Sequence, residues 1–147
     1  MEDYLKYWRV IRYYFNQRYK LTSGELDMLL FLSSEGYFDK SKFQEFNNLL
    51  PWNKDRFEKL RKEGWIDVFR KPSVTTLKDR RVLYSLSYKA NHMITSIYKK
   101  LSGEEIPTNI VNNAMYKKNV KYTDKVYRMM ITDMTKAIRQ QRHLAPE

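Results

Sequence analysis

Between residues 64 and 87 the chain changes its hydrophobic period, and that change limits the folds open to it. Up to Gly64 apolar residues recur three and four positions apart, the spacing of helices that bury one face. From Trp65 the stretch "WIDVFR" alternates. A loop with Pro72 and the charged run Asp79, Arg80 and Arg81 follows, and "RVLYSLS" alternates again. Alternation marks strands with one covered face, and two such runs around a polar loop mark a hairpin. A lone hairpin is barely stable in water, so this one is expected to lie on the helices before it. The predicted class is mainly α with a small β-hairpin.

The helices have readable ends. Residues 3 to 20 place Leu5, Trp8, Ile11, Phe15 and Tyr19 on one stripe and leave Tyr7, Tyr13 and Tyr14 outside it. "LTSGELDMLLFLSSEG" opens with Thr22 and Glu25 at capping-box spacing, and Gly36 is expected to end that helix. "DKSKFQEFNNLLP" repeats the spacing at Ser41 and Gln44, predicts a face of Phe43, Phe46 and Leu50, and stops at Pro51. A fourth helix is predicted with Asn53 as cap, Trp52 and Phe57 as a hydrophobic staple, Leu60 inward and Gly64 as its stop. After the hairpin, Ser87 can cap a helix carrying Ala90, Ile94, Ile97 and Leu101, broken at Gly103 and Pro107. Ile110 to Leu144 reads as a helical tail with Val126, Met130, Met134 and Ile138 every four residues and Asp124 as a cap.

At 147 residues the chain suits a single domain over 1–147, with a compact centre at 22–90 and helical extensions at 1–20 and 91–147. Lys and Arg number 28 against 17 Asp and Glu, a net charge of +11, which points to a polyanion as partner. The absence of cysteine excludes disulfides and thiolate zinc sites and fits a reducing cytoplasm, or association with the nucleoid if DNA is the partner. Apolar runs are too short to span a bilayer, and no signal peptide is evident, so no membrane partner is expected. His92 and His143 fall in different predicted helices, no ligand-spaced pair exists, and no Gly-rich phosphate loop occurs. Neither an enzyme, a metal nor a cofactor is expected.

Three compact helices followed by a two-stranded wing form the winged helix-turn-helix pattern. There one helix enters the major groove and the basic wing reaches the neighbouring backbone or minor groove. On the fourth helix the candidate DNA contacts are Lys54, Asp55, Arg56, Lys59 and Lys62. In the wing they are Arg70, Lys71, Lys78, Asp79, Arg80 and Arg81. Cations there attract phosphates, and an arginine gains further in a narrow minor groove. The competing reading is a solvated helix face held by the pairs Asp55–Lys59 and Glu58–Lys62. Both terminal stripes exceed what such a core could cover. The expectation is a homodimer burying Leu5, Trp8, Phe15, Val126, Met130, Met134 and Ile138.

Residues 22 to 90 also resemble the MarR family of winged-helix transcription regulators. The resemblance is carried by "LTSGELDMLLFL", "DRFEKLRKEGWIDVFR" and "KDRRVLYSLSYKAN". Leu60 to Gly64 matches the family's Leu-x-x-x-Gly, Arg70 its basic strand end, and Asp79 with Arg81 its Asp-x-Arg. Leu86-Ser87 stands where Leu-Thr is usual. The resemblance implies a sequence-specific regulator of transcription on double-stranded DNA, with Asp79, Arg81 and the helix before Gly64 at the DNA. It further implies a homodimer built on the terminal helices and an effector ligand of unknown identity. Ser102-Gly103 interrupts the helix after the wing earlier than in that family. The alternative is a viral or mobile-element module that keeps the winged shape to hold protein or nucleic acid without recognising an operator.

Overall fold

The computed structural model describes residues 4–51, 53–70 and 81–144. The Leu5 side chain, Trp52, Lys71, Lys78, Asp79 and Arg80 therefore lie outside the described residues. The chain is mainly helical with a small antiparallel sheet. It divides into two compact units, one of residues 22–95 and one of residues 1–21 with 96–147.

The 22–95 unit holds α2 (Ser23–Ser33), β1 (Tyr37–Phe38), α3 (Lys40–Asn47), α4 (Arg56–Lys62), β2 (Ile66–Arg70), β3 (Leu83–Leu86) and the start of α5 (Tyr88–Leu101). The capping box of α2 is present. Thr22 Oγ1 accepts from the Glu25 N–H at 3.2 Å, and Glu25 Oε1 accepts from the Thr22 N–H at 3.0 Å. α4 ends as expected at Gly64, whose φ of +83° is costly for any residue with a Cβ. Ser87 Oγ accepts from the Ala90 N–H at 3.2 Å, capping α5.

Two starts differ from expectation. α3 begins before Ser41, because Asp39 Oδ1 accepts from the Lys42 N–H at 2.8 Å and caps the helix instead. Asn53 does not cap α4. Its Oδ1 accepts from the Asp55 N–H at 3.0 Å in a local turn, and the helix starts at Arg56 with no side-chain cap. The sheet has the order β1-β3-β2, all antiparallel, with Ser85 opposite both Tyr37 and Asp67. The two-residue β1 covers the edge of β3 and was not expected. Leu26, Met28, Leu29, Leu32, Phe43, Leu60, Trp65 and Tyr84 form the core of the unit.

The terminal unit packs α1 (Trp8–Tyr19) against α6 (Tyr122–Leu144) and a 3-10 turn at Ala114–Tyr116. Val10, Ile11, Tyr14 and Phe15 of α1, Met115 of the turn, and Ile131, Met134 and Ile138 of α6 are buried. Three expectations are corrected here. First, Phe15, Met134 and Ile138 are not free for a homodimer, because the two terminal helices cover each other within one chain. Trp8, Val126 and Met130 stay half-buried. A strict four-residue step drifts about 40° per repeat around a helix of 3.6 residues per turn. The buried line therefore runs through Ile131 instead.

Second, Tyr7 and Tyr14 lie in the buried set, not outside it, and Tyr13 stacks on Tyr127 with ring centroids 4.4 Å apart. Third, residues 110–121 are not helix. Asn109 Oδ1 accepts from the Asn112 N–H at 2.8 Å and Asn113 Oδ1 from the Met115 N–H at 3.1 Å, so side chains take the donors that a helix would use. Asp124 is no cap. It is buried and accepts from Tyr13 Oη and Gln17 Nε2. Burial, then the hydrogen bond and charge of Asp124, push the Tyr13 hydroxyl up to about 12.

This packing gives a direct test. Met134→Ala should cost about 2–5 kcal/mol of unfolding free energy. Met129→Ala, at 69% exposure, should change it by under about 0.5 kcal/mol. Urea unfolding of both variants at two protein concentrations checks this. A Met134 effect that vanished on dilution would mean the side chain is buried by a second chain.

Candidate nucleic-acid interface

The candidate contacts named from the sequence lie on α4, its approach and the β2–β3 hairpin, and the structure gives those among the described residues different surroundings. Arg56 does not face solvent. Its residue is 4% exposed, and Nη1 donates to Asn47 Oδ1 while Nη2 donates to the Pro51 carbonyl at 2.9 Å. The guanidinium also lies over Gly24 of α2, where an added Cβ would stand 3.0 Å from Nη2. Arg56 is thus a bridge joining α2, α3 and α4, and its reading as a DNA contact is corrected. A guanidinium suits this task because it presents several donors in a rigid plane and keeps its charge when buried.

Lys59 is exposed along its stem, but its Nζ stands 3.1 Å from Oε1 of Glu25, a carboxylate almost wholly out of water. The Asp55–Lys59 surface pair of the competing reading is therefore replaced by a link from α4 to the first turn of α2. Burial pushes the Glu25 carboxyl up, but hydrogen bonds from the Thr22 backbone and from Lys59 outweigh it, and the net shift is downward. Arg81 is similarly engaged. Its Nη1 lies 2.9 Å from Asp39 Oδ2, so the residue after the described gap is fastened to the cap of α3. The hydrogen bond from the Lys42 N–H, more than Arg81 itself, holds the Asp39 carboxyl below its usual range.

Lys54, Asp55 and Lys62 are exposed at α4 and its approach, and Arg70 is exposed at the end of β2. A shallow concavity runs along α4, lined by Asp55, Glu58, Lys59, Arg61 and Lys62. With the Lys59 charge met by Glu25, its remaining cations, Arg61 and Lys62, are balanced by Asp55 and Glu58. This face can present hydrogen-bonding groups of both kinds, but it attracts phosphate weakly.

Residues outside the expected set contribute to the same region. Arg61 lies over the Tyr84 ring at 5.3 Å, which fixes the guanidinium's plane beside β3. Lys89 sits 4.0 Å from the centre of the Trp65 ring and donates to the Glu63 carbonyl at 3.2 Å. Tyr37 and Phe69, both about half exposed, stack 3.8 Å apart across β3 on the outer face of the sheet. Only the alternation of β2 hinted at that pair, since β1 was not foreseen.

Among the described residues no group of three or more His, Asp or Glu is placed to hold a metal ion. Among them also, no helix is long and apolar enough to cross a membrane. Compared with family models, curated proteins and solved structures, the chain gives no match.

The Glu25–Lys59 link has a pH signature. A carboxylate whose folded pKa is lowered contributes stability above its unfolded pKa of about 4.3, and that contribution is lost as pH falls through the folded value. Glu25→Gln should therefore be less stable than the parent at neutral pH, and the gap should narrow toward about pH 3. Urea midpoints of the two proteins across that range measure it. A constant gap would show that the carboxylate charge is not what Lys59 and the cap hold.

Proposed function

We propose that residues 22–95 form a winged helix-turn-helix that binds double-stranded DNA, as the MarR-like pattern of the sequence implies, and that the protein acts as a transcriptional regulator. The observation that carries this reading is the order α2, β1, α3, α4, β2, β3 with the sheet closed as β1-β3-β2. That order brings a basic hairpin directly after the helix that would enter the groove. α4 is a suitable reading element because Arg56, Lys59 and Gly64 fix its two ends to the rest of the unit. Lys62 and Arg61 would contact base edges or phosphates. Asp55 and Glu58 would accept from cytosine amino groups and repel a misplaced backbone.

A two-fold dimer, which the resemblance also implies, would need surfaces other than Phe15, Met134 and Ile138, which are already covered. One observation favours a second reading. With Arg56 buried and Lys59 paired, the outward face of α4 is close to neutral, as suits a module that binds a protein partner.

The substitution Lys62→Ala separates the two. On the DNA reading it lowers affinity for a selected site by about 1–3 kcal/mol and relaxes preference at particular base pairs. Site selection from a random duplex pool, followed by anisotropy titration of both proteins, makes the measurement. Selection that enriches no sequence would leave the protein-binding module as the better description.

A further inference from the structure

The basic excess of this chain is not where the proposed reading head is. Residues 22–95 carry 13 Lys and Arg against 10 Asp and Glu, an excess of three. The terminal unit carries 15 against seven, an excess of eight out of the chain's +11. Much of that excess is concentrated. From residue 107 to residue 132 there are five bases, Lys117, Lys118, Lys121, Lys125 and Arg128, and one carboxylate, Asp124. That carboxylate is largely buried and accepts from Tyr13 and Gln17, although it also lines the cleft formed here.

The bases have a shaped setting. The end of α1, the turn at 114–121 and the first turn of α6 frame a shallow, open cleft lined by Gln17, Lys20, Lys117, Asn119 and Lys121, with Asp124 also at its wall. Among the described residues, the two non-glycine positions with positive φ are Lys20 at +54° and Asn119 at +59°, and both line this cleft. A lysine in the left-handed region is uncommon, because its Cβ crowds the backbone. Lys20, Lys117, Lys121 and Lys125 are all exposed. Lys121 and Lys125 stand four apart at the start of α6, where like charges repel and the helix dipole opposes both. A bound anion would be attracted by both lysines and by the helix dipole, offsetting these electrostatic terms.

We propose that this lysine-framed cleft is a second nucleic-acid contact, a sequence-independent clamp on the phosphate backbone supplying most of the salt-dependent affinity. The proposal rests on duplex DNA being the partner, and it assigns attraction to the terminal unit and base discrimination to α4. A nucleic-acid strand is favoured over an anionic membrane because the apolar face of α6 that could insert into lipid is spent inside the unit on Ile131, Met134 and Ile138.

The test uses the full chain with Lys20→Gln, Lys117→Gln and Lys121→Gln together, titrated against a random-sequence duplex at rising salt. Three lost phosphate contacts should flatten the dependence of log affinity on log salt by about 2.7. Between about 50 and 200 mM salt the parent should then lose about 40-fold more affinity than the variant does. The loss should be equal on selected and random duplexes. In the parent, duplex should protect the same three lysines from acetylation relative to Lys136, a readout that does not depend on a variant folding. An unchanged slope, or labelling that duplex does not alter, overturns the clamp.

An unchanged slope alongside a Lys62→Ala effect sinks the clamp and leaves the α4 reading standing. A flattened slope with no Lys62→Ala effect does the reverse. A parent that binds no duplex sinks both. Phosphatidylserine vesicles that lose the variant while duplex binding stays intact would make the cleft a membrane contact and overturn the proposal.

Discussion

A buried guanidinium sets the geometry of the 22–95 unit. Arg56 is the first residue of α4, yet its donors go to Asn47 at the end of α3 and to Pro51 in the connection, while its plane rests over Gly24 at the start of α2. Three helices are held by one side chain. Among the described residues its Nε finds no partner, so the group is only partly satisfied there. Such a bridge is poor value as simple stabilisation, since apolar residues of similar volume often do as well. Its use lies in direction. Hydrogen bonds fix the approach of α4 to α3 more narrowly than packing would, and Lys59 to Glu25 adds a second fixed point one turn later.

The same residues show what a sequence can and cannot disclose. The Thr22–Glu25 box, the stop at Gly64 and the cap at Ser87 were legible because each is local, its partners lying within four residues. The class, mainly helical with a small sheet, followed from the change of period. β1 was not legible. Two residues show no alternation, and Tyr37–Phe38 are a strand only because β3 passes beside them. The turn at 110–121 was misread because the periodicity of α6 was carried backward through asparagines that bond their own backbone. Arg56 looked like any cation on the flank of a helix, since nothing nearby in sequence announces Asn47 and Pro51 as its partners. The charges at the candidate interface could be named from the sequence, but not their pairing, and pairing decides which charges are free to act.

Once pairing is known, the electrostatic balance changes. Counted by residue, α4 and its approach look basic. Counted after Arg56 is buried and Lys59 is met by Glu25, the outward side holds Lys54, Arg61 and Lys62 against Asp55, Glu58 and Glu63. Coulombic attraction to a duplex falls off over about 10 Å in moderate salt, so it depends on local sums more than on the charge of the whole chain. The net +11 is therefore a weak argument for α4 as the attracting surface. It is a stronger one for the terminal unit, whose only carboxylate between residues 107 and 132 is withdrawn into hydrogen bonds with Tyr13 and Gln17.

Separating attraction from discrimination has a physical advantage. A strongly basic reading helix would bind every duplex tightly, and its base contacts would add a small difference to a large common term. If α4 reads DNA as proposed, a nearly neutral helix with acceptors beside donors would make wrong sequences costly, because an unmatched Asp55 or Glu58 would meet phosphate or a carbonyl edge unpaired. Such a helix has little affinity of its own and needs another surface to hold the nucleic acid near it. Lysines suit that second surface, being hydrated point charges on flexible stems that follow a backbone without reading it. On the proposed reading, the rigid bridge at Arg56 and the lysines around the α6 cleft are opposite solutions for opposite tasks, one fixing an orientation and the other tolerating many.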